Sequence, residues 1–334
     1  MRHAIWGMSG PLLLWIVDLA RSLDQNGQAA SVARMPAQGS QNENHAPVHV
    51  RIEHAALNFR DFIIASGRFG PVPSGHIAGN EGAGVVVQSS SPAFREGDLV
   101  FVNGHGLGEA FAGTLSGQVR LPPEAITPLP EGMTTRDAAT VGVAAFVAYA
   151  AGQLIGEGPI AVTGAMGGTG RVAAACYARA GSDVTALTRD ADRAEILLDL
   201  GVSTILPPLT EADLNAQNFG PERFSGAFDV TGGALNWFTR HMRTGGTVAL
   251  AGFVAGNNPD INALAVILRR LRILGVNAGL SPPEKAQALR WVVKTLRPED
   301  YALLAHFADP NEVPALMGGF GGEPGRGRIV VALR

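Results

Sequence analysis

The stretch VTGAMGGTG, residues 162–170, decides the fold of this chain. An apolar strand runs into closely spaced glycines and then into an alanine-rich helix, an arrangement that holds the pyrophosphate of a dinucleotide. Gly164 is expected to make the tight turn, and Gly170 to let the following helix pack on the sheet. Gly167 and Gly168 would let backbone N–H groups approach the phosphates. The spacing GxxGGxG is a relaxed form of GxGxxG in a chain with 43 glycines, so the motif needs support from its surroundings.

The segments around the motif support a nucleotide-binding domain. After residue 134 helical patterns separate the apolar strands PIAVTG, DVTALTR, AFDVTGG, TVALAG and RILGVNAGL. This alternation predicts βαβ units in a parallel, doubly wound sheet. Short strands and turns from about residue 48 predict a mostly β region before it. We therefore predict an α/β chain of two domains, residues 1–133 with 281–334 and residues 134–280, whose closing strand GRIVVAL returns to the first domain.

Composition narrows the class of protein. With 46% hydrophobic and 16% charged residues, the chain is typical of soluble globular proteins with sizeable cores. A net charge of −3 offers no broad basic surface for nucleic acid or for an anionic membrane, so neither partner is expected. The single cysteine, Cys176, lies in the apolar segment VAAACYARA, which predicts a buried, unreactive thiol and excludes disulfides within the chain.

No membrane-spanning or secreted segment is predicted. The early apolar run AIWGMSGPLLLWIV is broken by Gly10 and Pro11 and lacks a clear cleavage site. No segment is expected to reach the length that crosses a bilayer, which favours a cytoplasmic protein. Residues 24–46 are predicted to form a loop, and residues 134–154 a helix with Thr135 as its N-cap.

The end of the second strand of the nucleotide-binding sheet predicts NADPH as the cofactor. An acidic residue at this place favours the ribose of NAD, whereas a basic one accommodates the 2′-phosphate of NADP. The strand DVTALTR ends in Thr188 and Arg189, whose hydroxyl and planar guanidinium suit a phosphate. Two alternatives stay open: Arg189 is a solvated residue at a strand end, or Asp190 pairs with it or contacts a ribose. Arg193 either assists or is a plain surface charge.

Seven motifs in order resemble the signatures of the medium-chain dehydrogenase/reductase superfamily, over most of the chain from about residue 48. They are ALNFRD (56–61), GLGEAFAGTLSGQVRLP (106–122), VTGAMGGTG (162–170), GAFDVTGG (226–233), GGTVALAGFVAGN (245–257), ILRRLRILGVNAGLSPPEK (267–285) and GRIVV (327–331). The branch that they resemble holds the acrylyl-CoA reductases and related quinone-oxidoreductase-like proteins. LNFRD is also similar to the enoyl reductase domains of polyketide synthases. The resemblance implies a GroES-like, mostly β catalytic domain beside a Rossmann NADPH-binding domain.

The resemblance also implies a cofactor cleft, residue by residue. It would contain Phe59 beside the nicotinamide, Gly164, Met166, Gly167, Gly168 and Thr169 at the pyrophosphate, Thr188 and Arg189 at the 2′-phosphate, and Phe253, Ile267, Ala278 and Arg328 around the remainder. The family usually has Tyr where this chain has Phe59, and Ser where it has Met166. These departures remove two hydroxyl donors and imply a shifted substrate preference or weaker cofactor binding.

The places that match the zinc ligands of other superfamily members hold no zinc ligand here. Those members use Cys and His, whereas this chain offers Asn58 and Asn80. His76, His105 and the other histidines are scattered without a ligand spacing, so no metal is predicted. An enzyme without a Lewis acid is poorly equipped for alcohol oxidation, and reduction of a conjugated C=C bond fits better.

Asn58 and Asp61 are the candidate catalytic residues. Asn58 would donate a hydrogen bond to the substrate oxygen that becomes negative, and Asp61 would orient a group or form part of a proton path. The alternative is that both residues cap a helix that begins near Phe59, since Asn and Asp are favoured caps. Glu81 is expected to hold loop structure rather than to act as an acid.

A basic cluster further along the chain has two interpretations. Arg269, Arg270 and Arg272 either meet the phosphates of coenzyme A or form a solvated helix end.

These features predict NADPH-dependent reduction of an α,β-unsaturated acyl-CoA of the acrylyl-CoA type, by hydride transfer to the β-carbon. One alternative is a reductase of quinones or enones with the same cofactor, and a second is a non-catalytic NADPH-binding protein. The resemblance also implies a homodimer, because relatives pair sheet edges near the segment that matches ILGVNAGL.

Overall fold

The protein divides into two compact units. The structure is a computed structural model that describes residues 48–66, 77–256, 260–319 and 326–333. The first unit contains Met1–Gly142, His306–Glu323 and Ile329–Arg334, and the second contains Val143–Ala305 and Pro324–Arg328. The predictions for the early apolar run, for residues 24–46 and for His76 lie outside the described residues.

The described part of the chain alternates strands and helices. Its strands are β1 (Val48–Leu57), β2 (Glu81–Ser89), β3 (Leu99–Asn103), β4 (Gln118–Leu121), β5 (Ile126–Pro128), β6 (Ile160–Thr163), β7 (Val184–Leu187), β8 (Thr204–Leu206), β9 (Phe224–Asp229), β10 (Met242–Leu250), β11 (Arg272–Gly275), β12 (Ala305–Ala308) and β13 (Arg328–Ala332). Its helices are α1 (Phe59–Ala65), α2 (Thr135–Ile155), α3 (Gly168–Arg179), α4 (Glu195–Asp199), α5 (Glu211–Asn215), α6 (Leu235–His241), α7 (Ala263–Leu268), α8 (Pro282–Thr295), α9 (Asp300–Leu304) and α10 (Val313–Gly319).

A sheet with antiparallel strand pairs forms the core of the first unit. Its strand order is β12-β13-β1-β2-β3-β5, and β4 pairs with the first half of β1. The alternation of VHVRI buries Val48, Val50 and Ile52 on one face of the sheet. Ile329 of β13 lies opposite Leu57 of β1. The predicted return of the closing strand is therefore confirmed.

A six-stranded parallel sheet forms the core of the second unit. Its order is β11-β10-β9-β6-β7-β8, which is the doubly wound arrangement of dinucleotide-binding folds. The predicted α/β class is thus confirmed. The strand order reverses between β6 and β9, and sheets of this kind bind ligands at the carboxyl ends of the strands beside such a point.

Helix α3 packs on this sheet through its apolar face. Val172 to Tyr177 are all buried, and they include Cys176, which has no exposed surface. Burial raises the pKa of the Cys176 thiol far above its ordinary value, so the thiolate is disfavoured. The prediction of a buried, unreactive cysteine agrees with this environment.

Helix α2 differs from its prediction in two ways. Thr134, not Thr135, caps it, since the Thr134 hydroxyl accepts a hydrogen bond from the backbone N–H of Asp137 at 3.1 Å. The helix is interrupted at Gly142, where φ is 46° and ψ is −144°. Within the described residues it is also the one helix long and apolar enough to cross a membrane, so the prediction that no segment reaches that length was wrong. Most of it is buried in the protein, and core helices pass the same test.

The unit boundaries differ from the predicted domain boundaries. The first falls after residue 142 rather than 133, and residues 281–305 belong to the second unit rather than the first. One reason for the second difference lies in the contacts of α9. The buried carboxylate of Asp300 accepts two hydrogen bonds from the guanidinium of Arg179 on α3, at 2.9 and 2.7 Å. A helical pattern predicts a helix but does not indicate which core that helix covers.

Candidate functional site

The glycine turn lies at the carboxyl end of β6 in the second unit. Gly164 adopts a φ of +56°, which glycine tolerates and other residues rarely adopt. The backbone N–H of Gly167 donates to the carbonyl oxygen of Gly164 at 2.8 Å, and α3 begins at the next residue. Residues 168–170 therefore form the first turn of a twelve-residue helix, where backbone N–H groups have no intrahelical acceptors. This is the arrangement that binds phosphates.

Gly170 is required by the close approach of helix and strand. A Cβ atom at this position would lie 2.3 Å from the carbonyl oxygen of Gly164 and 2.7 Å from that of Thr163. A Cβ at Gly167 would be 3.2 Å from the Gly164 oxygen. No Cβ atom thus covers the backbone at these glycines, which fits the close approach of a dinucleotide pyrophosphate. The tight turn expected at Gly164 and the close helix packing expected at Gly170 match this geometry.

The other predicted cofactor residues of the second unit are distributed along the sheet. Thr188 is buried directly after β7, Phe253 follows β10 and is 45% exposed, and Ala278 follows β11. All three come after the carboxyl ends of parallel strands, whereas Ile267 lies on α7, which connects β10 to β11.

Arg328 is brought directly to the glycine turn. Its side chain is buried, and a Cβ at Gly168 would lie 3.2 Å from Arg328 Cδ. Phe59 lies in the first unit, where its ring stacks on that of Phe62 with centroids 5.9 Å apart.

The residues after β7, which would contact the adenosine ribose of the cofactor, include an exposed arginine. Arg189 is exposed, and the neighbouring Thr188 hydroxyl accepts a hydrogen bond from the backbone N–H of Asp190 at 3.1 Å. Asp190 forms its ion pair with Arg193, with Oδ2 3.8 Å from Nη1. Since the partner of Asp190 is Arg193, the Arg189 guanidinium remains exposed beside a buried threonine.

In the first unit, Asn58 lies in a hydrogen-bonded cluster at the start of α1. Its side-chain nitrogen donates to Asn80 Oδ1 at 2.9 Å and to Glu81 Oε1 at 2.7 Å. An amide nitrogen carries two hydrogens, so both are used in this arrangement. Glu81 is fully buried at the start of β2, where its carboxylate accepts one of these two hydrogen bonds. A hydrogen bond from Asn58 to a substrate would require one of these two bonds to be exchanged.

Asp61 ties the first turn of α1 to the strand that follows. Its Oδ2 accepts from the backbone N–H of Asn58 at 2.8 Å, and its Oδ1 accepts from those of Gly79 and Asn80 at 3.0 and 3.1 Å. The capping interpretation of this residue therefore matches the geometry. Burial raises the pKa of the Asp61 carboxyl from 3.8 to about 6, although the three N–H groups oppose the shift.

We expect this shift to make stability depend on pH. A carboxyl whose pKa is higher in the folded state binds its proton more tightly there, so its contribution is greatest below pH 4 and is lost as the pH rises through 6. Two pKa units correspond to about 3 kcal/mol. Urea unfolding of the wild type should therefore lose stability relative to Asp61→Asn between pH 4 and 7. Parallel stability curves for the two proteins would contradict the buried, shifted carboxyl.

The described residues contain no group of three or more His, Cys, Asp or Glu side chains placed to hold a metal ion. The zinc-ligand positions are filled by the Asn58 and Asn80 side chains, which bond to each other. His105 lies at an exposed turn between Gly104 and Gly106 with a φ of +53°.

The three arginines of the basic cluster, which lie between the end of α7 and the start of β11, have different environments. Arg269 is buried, and its guanidinium donates to the carbonyl oxygens of Arg240 and Gly220, the latter at 2.8 Å. Arg272 opens β11, at the amino end of the parallel strands and away from the edge where such sheets bind ligands. Arg269 thus bonds to backbone acceptors within the fold, whereas Arg270 and Arg272 are exposed and their coenzyme A interpretation stays a prediction.

Comparisons with known proteins match both units. Residues 44–131 match the family model described as an alcohol dehydrogenase GroES-like domain, and residues 168–294 match the model described as a zinc-binding dehydrogenase. The chain is 30% identical to the acrylyl-CoA reductase AcuI of Ruegeria pomeroyi over 294 residues, covering 85% of this chain and 89% of that protein. It is 29% identical to YhfP of Bacillus subtilis, named provisionally as a quinone oxidoreductase, over 72% of this chain and 76% of that protein.

Two solved structures share the fold. The yhdH oxidoreductase of Salmonella enterica, in complex with NADP, superposes with a TM-score of 0.81 at 26% identity, covering 93% of this chain and 98% of that one. The yhfP protein of Bacillus subtilis, with NAD bound, gives a TM-score of 0.77 at 26% identity, covering 91% and 93%. The GroES-like and doubly wound units, the glycine turn and these relatives together show that the chain belongs to the medium-chain dehydrogenase/reductase superfamily of oxidoreductases.

Proposed function

We propose that this oxidoreductase uses NADPH to reduce the C=C bond of an α,β-unsaturated acyl-CoA. The observation that carries the proposal is the bare glycine turn at the start of α3, followed at the next strand end by an exposed arginine. The acrylyl-CoA reductase and the NADP-bound structure among the relatives support the substrate class and the cofactor. Bound NADPH would supply the hydride that reaches the β-carbon of the substrate.

In the second unit, the backbone N–H groups of residues 168–170 would bind the cofactor pyrophosphate at the positive end of α3. Thr188 and Arg189 would bind the 2′-phosphate by charge-assisted hydrogen bonds. Met166 in the glycine turn and Thr169 in the first turn of α3 would lie at the pyrophosphate. The remainder of the cofactor would be surrounded by Phe253, Ile267, Ala278 and Arg328. The buried Arg328 against Gly168 adds positive charge next to that turn.

In the first unit, Asn58 would donate a hydrogen bond to the substrate oxygen, and Asp61 would position Asn58. Phe59 would lie on the nicotinamide side. Asp61 fixes the backbone of Asn58 through its hydrogen bond to the Asn58 N–H. The Asn58 amide would exchange one of its two acceptors for the substrate oxygen as negative charge develops there. Until that exchange, the hydrogen bonds to Asn80 and Glu81 would fix the orientation of the Asn58 amide.

We propose that the reaction needs no zinc. Amide groups are not the thiolate and imidazole ligands that zinc prefers in proteins, and here they form hydrogen bonds with each other. Activity should therefore persist after dialysis against a strong chelator. Loss of turnover on chelation, restored by zinc alone, would contradict this part of the proposal.

A second candidate substrate is a quinone or simple enone, favoured by the similarity to YhfP. The two substrate classes can be distinguished by following NADPH oxidation with acrylyl-CoA, crotonyl-CoA, benzoquinone and a simple enone that carries no coenzyme A. Turnover of the thioesters supports the proposal, and turnover of quinones alone overturns it. Tight NADPH binding without turnover of any acceptor would instead indicate a non-catalytic NADPH-binding protein.

We also propose a homodimer formed through the edge strand β11. Outside the proposed cofactor cleft, five large apolar side chains between residues 254 and 274 are 36% or more exposed: Val254, Ile261, Leu264, Leu268 and Leu274. Exposed apolar surface beside a sheet edge is typical of an interface. Sedimentation should give a dimer for the wild type and a monomer for Leu274→Lys, and a monomeric wild type would contradict the proposal.

A cytoplasmic location fits the proposed substrates, since NADPH and coenzyme A thioesters are used inside cells, and cell fractionation tests it.

A further inference from the structure

Arg171 is a buried cation directly after the glycine turn. It follows Gly170 in the first turns of α3 and is only 3% exposed. Its Nη2 donates to the carbonyl oxygen of Met166 at 3.0 Å, and its Nη1 donates to that of Leu303 at 3.0 Å. One guanidinium thus connects the turn to the end of α9.

These bonds fix the peptide group between Met166 and Gly167 from both sides. The Met166 carbonyl also accepts from the backbone N–H of Gly327 at 3.2 Å, and the Gly167 N–H donates to Gly164 at 2.8 Å. A peptide group is planar, so holding its oxygen and its N–H fixes its orientation. The N–H groups of residues 168–170 follow immediately, and their directions depend on that orientation.

The chain leaves space for the guanidinium at a second glycine. Gly327 has a φ of +71°, and a Cβ there would lie 2.7 Å from Arg171 Nη1 and 2.4 Å from the carbonyl oxygen of Leu304. Any larger residue would displace the arginine or the end of α9. Gly167 and Gly327 also form a backbone bridge, so the same two segments meet at the turn.

The charge of Arg171 persists at neutral pH. Burial lowers the pKa of its guanidinium to about 10, with Arg193 adding to the fall and Asp190 opposing it. A group with that pKa is still protonated at physiological pH. The arginine therefore adds positive charge behind the N-terminus of α3, in the same sense as the helix dipole.

We propose that Arg171 is a positioning residue for the cofactor diphosphate, which holds the 164–167 turn in the shape that presents the amides of residues 168–170. The inference rests on the proposed NADPH site and deepens it. Arg171 acts through the turn, whereas Arg189 would contact the 2′-phosphate itself. The two arginines should therefore respond differently to ligands that carry or lack the diphosphate.

The test compares the binding of NADPH and adenosine 2′-monophosphate, which has the 2′-phosphate but no diphosphate, by calorimetry. In Arg171→Met the dissociation constant of NADPH should rise at least about tenfold, while that of adenosine 2′-monophosphate changes by less than about twofold. Arg189→Glu is the matched variant, in which both ligands should weaken. Arg171→Lys, which keeps the charge and can reach one carbonyl, should fall between wild type and Arg171→Met, and it carries the comparison if Arg171→Met does not fold.

Two results would overturn the inference. One is an unchanged NADPH affinity in a folded Arg171 variant. The other is equal weakening of both ligands, which would indicate a general structural role. Failure of the wild type to bind NADPH would instead remove the proposed function, so the two failures are distinguishable.

Discussion

Alanine in place of Gly170 is expected to abolish NADPH binding and to destabilise the second unit. The added Cβ would lie 2.3 Å from the Gly164 carbonyl oxygen, and the three nearest atoms all belong to the backbone of Thr163 and Gly164. They can give way only if the helix leaves the strand or the turn changes shape. Overpacking of this kind costs about 1–3 kcal/mol, and the turn that loses its shape is the one proposed to hold the pyrophosphate. Calorimetry with NADPH and thermal unfolding measure the two effects.

Gly152→Ala provides the matched control in the same unit. Gly152 lies within α2, and a Cβ there would be 3.3 Å from a ring carbon of Tyr177, so that a shift of only a few tenths of an ångström accommodates it. Alanine is favoured over glycine in a helix by about 1 kcal/mol, so this variant should keep both stability and binding. Normal NADPH affinity in Gly170→Ala would show that the close approach at the turn is not needed for the cofactor.

Charge reversal at Arg189 is expected to change the choice of cofactor. Charge-assisted hydrogen bonds contribute about 1.5–3 kcal/mol each, and a glutamate would also repel the 2′-phosphate. The NADPH dissociation constant of Arg189→Glu should therefore rise about 100-fold, while that of NADH changes by less than about threefold. Fluorescence titration with each nucleotide measures both values.

Arg290→Glu changes the net charge by the same amount at an exposed position of α8. It should leave both affinities near their wild-type values, because long-range effects between exposed charges are screened by salt. A parallel loss of NADPH and NADH affinity in Arg189→Glu would mean that this guanidinium does not contact the 2′-phosphate. The exposed strand-end alternative for Arg189 would then be correct.

The sheet of the second unit was predictable because its signals are local. The glycine spacing in residues 162–170 and the alternation of strands and helices each lie within a short segment, and the structure forms them there. The placement of residues 281–305 was not predictable, because it involves contacts between residues far apart in the chain, such as the Arg179–Asp300 pair with its separation of 121 residues.

The candidate site was only partly predictable from the sequence, because its contacts also join residues that are far apart in the chain. Asn58 stood out through its place in LNFRD, but its bonds to Asn80 and Glu81 join residues 22 and 23 positions away. Arg171 was missed, although a charged residue at the start of the apolar run VAAACYARA was a usable signal. A buried arginine needs hydrogen-bond acceptors, and those of Arg171 are backbone carbonyl groups. Every residue has such a group, so the sequence does not indicate which ones serve as acceptors.

The central claim is that this protein holds NADPH at the glycine turn and reduces an activated alkene with it. Its most direct test is a reaction of acrylyl-CoA with NADPH carrying deuterium at both C4 positions of the nicotinamide, followed by mass spectrometry of the product. We predict propionyl-CoA with a single deuterium on C3. Unreacted acrylyl-CoA, or propionyl-CoA without deuterium on C3, would contradict the account.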